Sequence, residues 1–176
     1  VQGEHNRKQS ESEMMSDLIK KYGEEIKRLI FTYVKEWNTA EDLTQDVFIT
    51  VYLKRDTFQE QSSLKTWIYR IAINKSKDYL KSWGNRMLSL TNLFPSSYSD
   101  ISTERRYFTR FENEKLGNAV FKLPVKYREV IILYYYKGLN TTEISELLQC
   151  KPSTVKSRIS RAKKQLHSKL GGFRLE

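Results

Sequence analysis

Asp42 and Asp46 stand four residues apart in a short segment that also carries Glu41 and Gln45. On a helix an i, i+4 step puts both carboxylates on one face. Such a pair is a candidate hold for Mg²⁺, which commonly takes one or two carboxylates, and a Mg²⁺-dependent nucleic-acid enzyme would follow from it. No further carboxylate or histidine constellation supports that chemistry, so no catalytic residue, no metal ligand and no cofactor is expected. The alternatives are a solvated acidic helix start or a protein-docking face in an otherwise basic chain.

A second constellation mixes rings, cations and amides: Lys65, Thr66, Trp67, Tyr69, Arg70, Asn74 and Lys77. These fall on the side of a helix opposite its apolar line. Aromatic rings beside cations suit stacking on unpaired bases, worth about 1–3 kcal/mol per base. A tryptophan at this spacing is equally at home in a core. The polar stretch Gln59 to Ser63, with Ser62 and Ser63 at its end, offers hydroxyls and amides that could surround an unstacked base.

The third constellation lies near the C-terminus. Stepping 100° per residue from Val155 places Ser153, Ser157, Ser160, Arg161 and Lys164 on the outward side of a helix, with Thr154 and Lys156 flanking. Lys151, Lys156, Arg158, Arg161, Lys163, Lys164 and Lys169 fall in this segment and no acidic residue does. Cations at the edges suit phosphates, and hydroxyls and amines at the crest suit base edges in a major groove.

The elements that must carry these groups follow from periodicity. From Ser16 to Trp37 apolar residues recur at three- and four-residue steps, which predicts an amphipathic helix. Asn38-Thr39 breaks it, and Thr39 is the expected N-cap of a second helix with Leu43, Val47, Phe48 and Val51 inward. That helix should fade near Arg55-Asp56. A third is expected from Leu64 to about Trp83, with Leu64, Ile68, Ile71, Ala72 and Tyr79 buried. Between Gly84 and Thr103 the period disappears and Asn, Ser and Thr accumulate with Pro95, which reads as a linker.

Beyond the linker, Pro124 can open a helix at its first turn. Val130 to Tyr136 has strand propensity, but it lies between that opener and Lys137-Gly138, a helix-ending pair, so helix is predicted. Asn140 and Glu143 form a capping-box pair, with Ile144, Leu147 and Leu148 inward. The turn Gln149-Cys150-Lys151 follows, and Pro152 starts a last helix to about Leu170 with Val155, Ile159, Ala162 and Leu166 inward. Short helix, tight turn and long basic helix make a helix-turn-helix. Cys150 is expected to be a small buried hydrophobe.

Composition narrows the function classes. The 176 residues carry 31 Lys+Arg against 21 Asp+Glu, a net charge of +10, and the pI is near 9.6. A polyanionic partner such as nucleic acid is favoured. One cysteine leaves no internal disulfide, and with two histidines a Cys/His zinc cage is excluded. The longest apolar run, Val130 to Tyr136, is too short to span a bilayer, and no charged-then-apolar leader opens the sequence. A cytoplasmic protein without membrane insertion is expected.

Two segments together resemble a known family. Ala40 to Phe48, Phe58, Ser62 to Asn74 and Asp78-Tyr79-Leu80 are similar to region two of extracytoplasmic-function (ECF) bacterial sigma factors. Leu123-Pro124, Arg128 to Val130, Lys137 to Leu139, Glu143-Ile144 and Thr154 to Leu166 resemble region four. The resemblance spans about Met15 to Leu170, in the right order, with a linker between.

That resemblance implies an all-α fold of two small helical domains joined by a flexible linker, the C-terminal one a helix-turn-helix. Residues 1–14 would be a polar N-terminal segment and a candidate for disorder. Residues 15–83 would form region two, 84–112 the linker and 113–176 region four. The function implied is that of an alternative sigma factor, not an enzyme. It would bind core RNA polymerase and direct promoter recognition, −10 melting and transcription initiation.

By the same resemblance, Asp42, Leu43, Gln45 and Asp46 would dock on the clamp-helix coiled coil of the β′ subunit. Ser62, Ser63, Lys65, Thr66, Trp67, Tyr69, Arg70 and Asn74 would hold the opened −10 strand. Ser153, Thr154, Lys156, Ser157, Arg158, Ser160, Arg161 and Lys164 would read the −35 duplex while region four rests on the β subunit's flap. The linker would thread toward the active-site and RNA-exit channel. Expected partners are the polymerase β and β′ subunits, promoter DNA and an anti-sigma protein. The chain departs from the family pattern at Gln149, where Gly is frequent in the turn, and at Lys151, where a Ser cap is common. The rival readings are a free-standing helix-turn-helix regulator and the Mg²⁺-dependent enzyme.

Overall fold

In a computed structural model of the chain, residues 2–59, 62–90 and 114–170 are described. They form two compact units that divide between Leu90 and Thr91. All regular elements among them are helical.

The first unit holds α1 (Gln2–Val34), α2 (Trp37–Lys54), a 3₁₀ turn (Arg55–Thr57) and α3 (Leu64–Leu90). α1 begins at Gln2, ahead of the Ser16 start that apolar periodicity predicts. Each helix packs on the other two around a common core. Ile26, Leu29, Ile30 and Phe31 come from α1, Ala40, Val47, Phe48 and Val51 from α2, and Ile68, Tyr69, Ala72 and Ile73 from α3. Leu43, Leu64, Ile71 and Tyr79, expected inward, are half-buried at the rim.

The α1–α2 corner differs from expectation. α1 ends at Val34, and Lys35 just beyond it takes a left-handed conformation with φ 61°, its N–H bonding to the Phe31 carbonyl at 2.9 Å. The N-cap is Glu36, not Thr39. Its carboxylate accepts from the Asn38 N–H at 2.8 Å and from the Thr39 N–H, and Trp37 stacks on Phe31 with centroids 4.1 Å apart. The chain reverses three residues earlier than the Asn-Thr pair suggests. A glutamate is a poor statistical N-cap, so the sequence pattern conceals it. Burial acts to raise the Glu36 pKa, but bonds from the Thr39 hydroxyl and the Thr39 and Asn38 amides outweigh it and lower the pKa.

α3 runs past Trp83 to Leu90, over the first residues of the expected linker; the rest of that linker, residues 91–112, lies outside the described residues. Its entrance is capped by Ser63, whose Oγ accepts from the Thr66 N–H at 3.1 Å.

The second unit holds α4 (Glu114–Phe121), α5 (Val125–Ile131), one π-helical turn (Ile132–Tyr136), α6 (Thr141–Leu148) and α7 (Pro152–Leu170). α7 packs against α4, α5 and α6. The core gathers Phe121, Val130, Leu133, Ile144, Val155, Ala162 and Leu166, among others. Pro124 serves as the cap residue before α5 and not as its first helical residue. Val130 to Tyr136 is helical, as predicted. It ends in an i→i+5 bond from the Lys137 N–H to the Ile132 carbonyl at 3.1 Å, and Gly138 at φ 67° turns the chain away.

Candidate nucleic-acid interface

The helix-turn-helix is built by caps that the sequence announces. Asn140 Oδ1 accepts from the Thr142 and Glu143 N–H groups at 2.9 and 3.0 Å. Glu143 Oε2 accepts from the Asn140 N–H at 2.7 Å, completing the capping box. At the other end the Cys150 N–H bonds to the Ser145 carbonyl at 3.0 Å and the Gln149 N–H to Glu146 at 3.4 Å. This pair is a Schellman motif, with Gln149 left-handed at φ 52°. Pro152 then opens α7, and the Val155 N–H reaches back to the Lys151 carbonyl at 3.2 Å. Cys150 is half-buried, more open than expected.

α7 divides as its periodicity predicts: Val155, Ala162 and Leu166 are buried, with Ile159 half-buried. Ser153, Lys156, Ser157, Ser160, Arg161 and Lys164 are exposed, and Thr154 is half-buried beside them. The Ser157 hydroxyl donates to the Thr154 carbonyl at 2.9 Å, which orients its oxygen on the crest. Arg158 does not belong to this crest. Its Nη1 lies 3.1 Å from Glu129 Oε1, with the arginine side chain 27% and the glutamate 2% exposed. A buried carboxylate needs a compensating cation, and α7 supplies Arg158 to α5 for that purpose. Arg128, the neighbour of Glu129, is also buried and donates to the Phe121 and Leu123 carbonyls at 2.7 and 3.3 Å, closing the C-terminus of α4. Nothing in the local pattern of Arg128 and Glu129 distinguishes them from surface residues, so their burial is not legible in the sequence.

The α3 residues separate into two groups. Ser63, Thr66, Trp67, Arg70 and Asn74 recur at three- and four-residue steps along one stripe, with Ser63 and Asn74 exposed and Thr66, Trp67 and Arg70 half-buried. Ser62, just before the helix, is half-buried. Trp67 packs at 5.2 Å on Phe58, which arrives from the end of the 3₁₀ turn. Lys65 and Tyr69 turn instead toward α1. Tyr69 is buried at 2% exposure, correcting its expected place on the non-core side, and its hydroxyl donates to Glu25. Lys65 Nζ pairs with the same carboxylate at 3.1 Å. α3 buries both Ile68 and Tyr69, then both Ala72 and Ile73, because it packs on two helices and needs a wide apolar face. A single-line projection misassigns the residue at the edge of that face.

On α2, Glu41, Asp42, Gln45 and Asp46 are exposed and Leu43 is half-buried beneath them. Among the described residues no group of three or more His, Cys, Asp or Glu side chains gathers to hold a metal ion. Gln45 of this face also lines a groove between α1 and α2 of about 1010 Å³, whose apolar lining includes Met15, Ile19, Phe48, Ile49, Tyr52 and Leu53. Ile49 is 57% and Leu53 70% exposed. The signal for this face was present: Ile49, Tyr52 and Leu53 recur at helical spacing outside the inward stripe. No helix among the described residues is long and apolar enough to cross a membrane.

Family comparisons agree with this architecture. Residues 18–86 match Sigma-70 region 2, and residues 113–166 match Sigma-70, region 4. The chain is 30% identical over 171 residues to the ECF RNA polymerase sigma-E factor of Haemophilus influenzae, covering 92% of this chain and 90% of that protein. It is 32% identical over 162 residues to the RNA polymerase sigma-H factor of Pseudomonas aeruginosa, covering 87% and 84%. The sigma factor RpoE of Bartonella quintana, solved in complex with the anti-sigma factor NepR, superposes with a TM-score of 0.74 at 24% identity, over 90% of this chain and 98% of that one. CnrH, solved with the cytosolic domain of CnrY, gives 0.65 at 20% identity, over 91% and 89%. With both regions matched in order along nearly its whole length, the chain belongs to the ECF RNA polymerase sigma factors, proteins of transcription initiation that are not enzymes.

Proposed function

We propose that the chain binds core RNA polymerase through α2 and reads a promoter with two separate helices. Asp42, Gln45 and Asp46, with Leu43 beneath, form the acidic face that docks on the β′ subunit. A charged patch opposite in sign to the rest of the chain suits a basic protein partner and steers encounter. The stripe Ser63, Thr66, Trp67, Arg70 and Asn74 takes the opened −10 strand, with Trp67 as the stacking ring and Arg70 as the nearby cation. Ser153, Thr154, Lys156, Ser157, Ser160, Arg161 and Lys164 face the −35 duplex. Lys65, Tyr69 and Arg158 position these surfaces through Glu25 and Glu129.

The observation that carries this reading is the α7 crest. Exposed hydroxyls and cations with no acid among them stand on the second helix of a capped helix-turn-helix, which is the geometry that enters a major groove. An anti-sigma partner is part of the proposal. It is supported by the similar RpoE structure, solved with the anti-sigma factor NepR, and by the exposed apolar groove between α1 and α2. Promoter DNA and polymerase place the site of action in the cytoplasm.

The test is reconstituted initiation. Core polymerase plus this chain should start transcripts at specific members of a promoter library, and Asp46→Lys should abolish β′ retention with helicity unchanged. Selective, tight duplex binding by the chain alone would instead favour a free-standing regulator.

A further inference from the structure

We infer that Tyr134 and Tyr135 form a second wall of the duplex-reading surface and hold the sugar–phosphate backbone of one promoter strand against α7. The inference rests on the proposed −35 reading and extends it to a helix outside the helix-turn-helix. A cleft of about 420 Å³ runs between the π-helical turn and α7, lined on one side by Tyr134 and Tyr135 and on the other by Lys156, Ser160, Lys163 and Lys164. Lys156, Ser160 and Lys164 follow one another at one-turn steps, so the floor of the cleft is the exposed crest of α7 itself.

The wall is ordered by aromatic contacts. Tyr134 and Tyr135 meet edge to face, centroids 4.9 Å apart at 75°. Lys163 Nζ lies 5.6 Å from the Tyr135 ring centroid, a cation–π geometry that holds the ammonium at the cleft. Tyr134 remains 39% exposed. The i→i+5 bond of Lys137 to Ile132 places an extra residue in this turn, which shifts these side chains around the helix axis, and such turns are frequent at functional sites.

Chemistry selects the occupant. Three ammonium groups and the hydroxyls of Ser160 and Tyr134 surround the space, and no acidic residue lines it. Such a set suits a phosphate with its sugar against a ring, a contact that positions DNA without reading its sequence. An acidic protein segment would meet the same cations, but it would have to displace the duplex from the α7 crest.

The experiment uses the full chain on core polymerase, with promoters varied at the −35 element. Tyr134→Ala should weaken promoter binding by at least about 10-fold, the value of one hydrogen bond to a charged acceptor, and by the same factor on every −35 variant. Tyr134→Phe should share most of that loss, and Lys163→Gln should lower the salt dependence by roughly one unit of log slope. Affinity for core and thermal stability should not change. Undiminished promoter binding by folded Tyr134→Ala and Tyr134→Phe would overturn the inference, as would a loss confined to core binding. If the wild-type chain itself confers no promoter-specific initiation, the proposed function falls and this inference with it. A working wild type with unaffected variants removes this inference alone.

Discussion

Arg158 on α7 lies 3.1 Å from Glu129 on α5, and the glutamate side chain is only 2% exposed. This pair ties the DNA-reading helix to the helix behind it, so a cation that the sequence assigns to DNA is used to neutralise a buried carboxylate. Removing Arg158 strips that carboxylate of its ion pair with α7 while it stays in a low-dielectric interior, which costs more than the pair itself is worth. Arg158→Ala should destabilise the second unit by about 3 kcal/mol, whereas exposed Arg161→Ala should change stability by less than about 0.5 kcal/mol. Thermal denaturation of both variants checks this. Equal melting temperatures would mean that the pair carries no structural weight.

Gln149 holds a left-handed conformation, φ 52° and ψ 48°, at the centre of the helix-turn-helix. A residue with a Cβ pays roughly 1–2 kcal/mol there, partly offset by the larger backbone entropy a glycine loses on folding. Gln149→Gly should therefore stabilise the second unit by about 1 kcal/mol, raising its melting temperature by roughly 4–8 °C. Gln149→Val should lower it. A neutral or destabilising glycine would show that the Gln149 side chain contributes contacts outweighing the strain.

Glu36 makes the α1–α2 corner sensitive to acid. Its folded pKa lies below the ordinary value of 4.5, so the ionised form binds the Asn38 and Thr39 donors more strongly than the protonated form does. The resulting stability is fully present above the unfolded pKa and is lost as the pH falls through the lowered folded value. Glu36→Ala should cost about 1 kcal/mol at neutral pH, and the gap from wild type should narrow below pH 4.5. Denaturant titrations at pH 7 and pH 3 compare the two. A gap independent of pH would assign the cost to packing instead.

Trp67 and Tyr69 are both aromatic and two residues apart, yet their variants should behave oppositely. Trp67 is half-buried on Phe58, on the stripe that carries Asn74. Trp67→Ala should leave the first unit folded while reducing strand opening by an amount equivalent to about 1–3 kcal/mol, the value of one base stack. Tyr69 is a core residue, and Tyr69→Ala should cost about 3–5 kcal/mol of stability. Circular dichroism melts paired with permanganate footprinting of the −10 region separate the two effects. A Tyr69→Ala variant that melts like wild type would contradict the burial of its ring.

Local chemistry along the chain was sufficient for the helices, their stripes and the helix-turn-helix. Asn140 with Glu143 announces a capping box, Pro152 a helix start and Val155, Ala162 and Leu166 a buried line, and each signal depends only on residues a turn or two away. The acidic face of α2 and the basic crest of α7 were readable for the same reason. Contacts between distant residues were not. Glu25 draws in Tyr69 and Lys65 from forty residues or more away, and Glu129 recruits Arg158 across twenty-nine. Periodicity reports which side of a helix is apolar, but the width of that side and the partner of each charge depend on how many helices pack against it. That count exists only once the chain has folded.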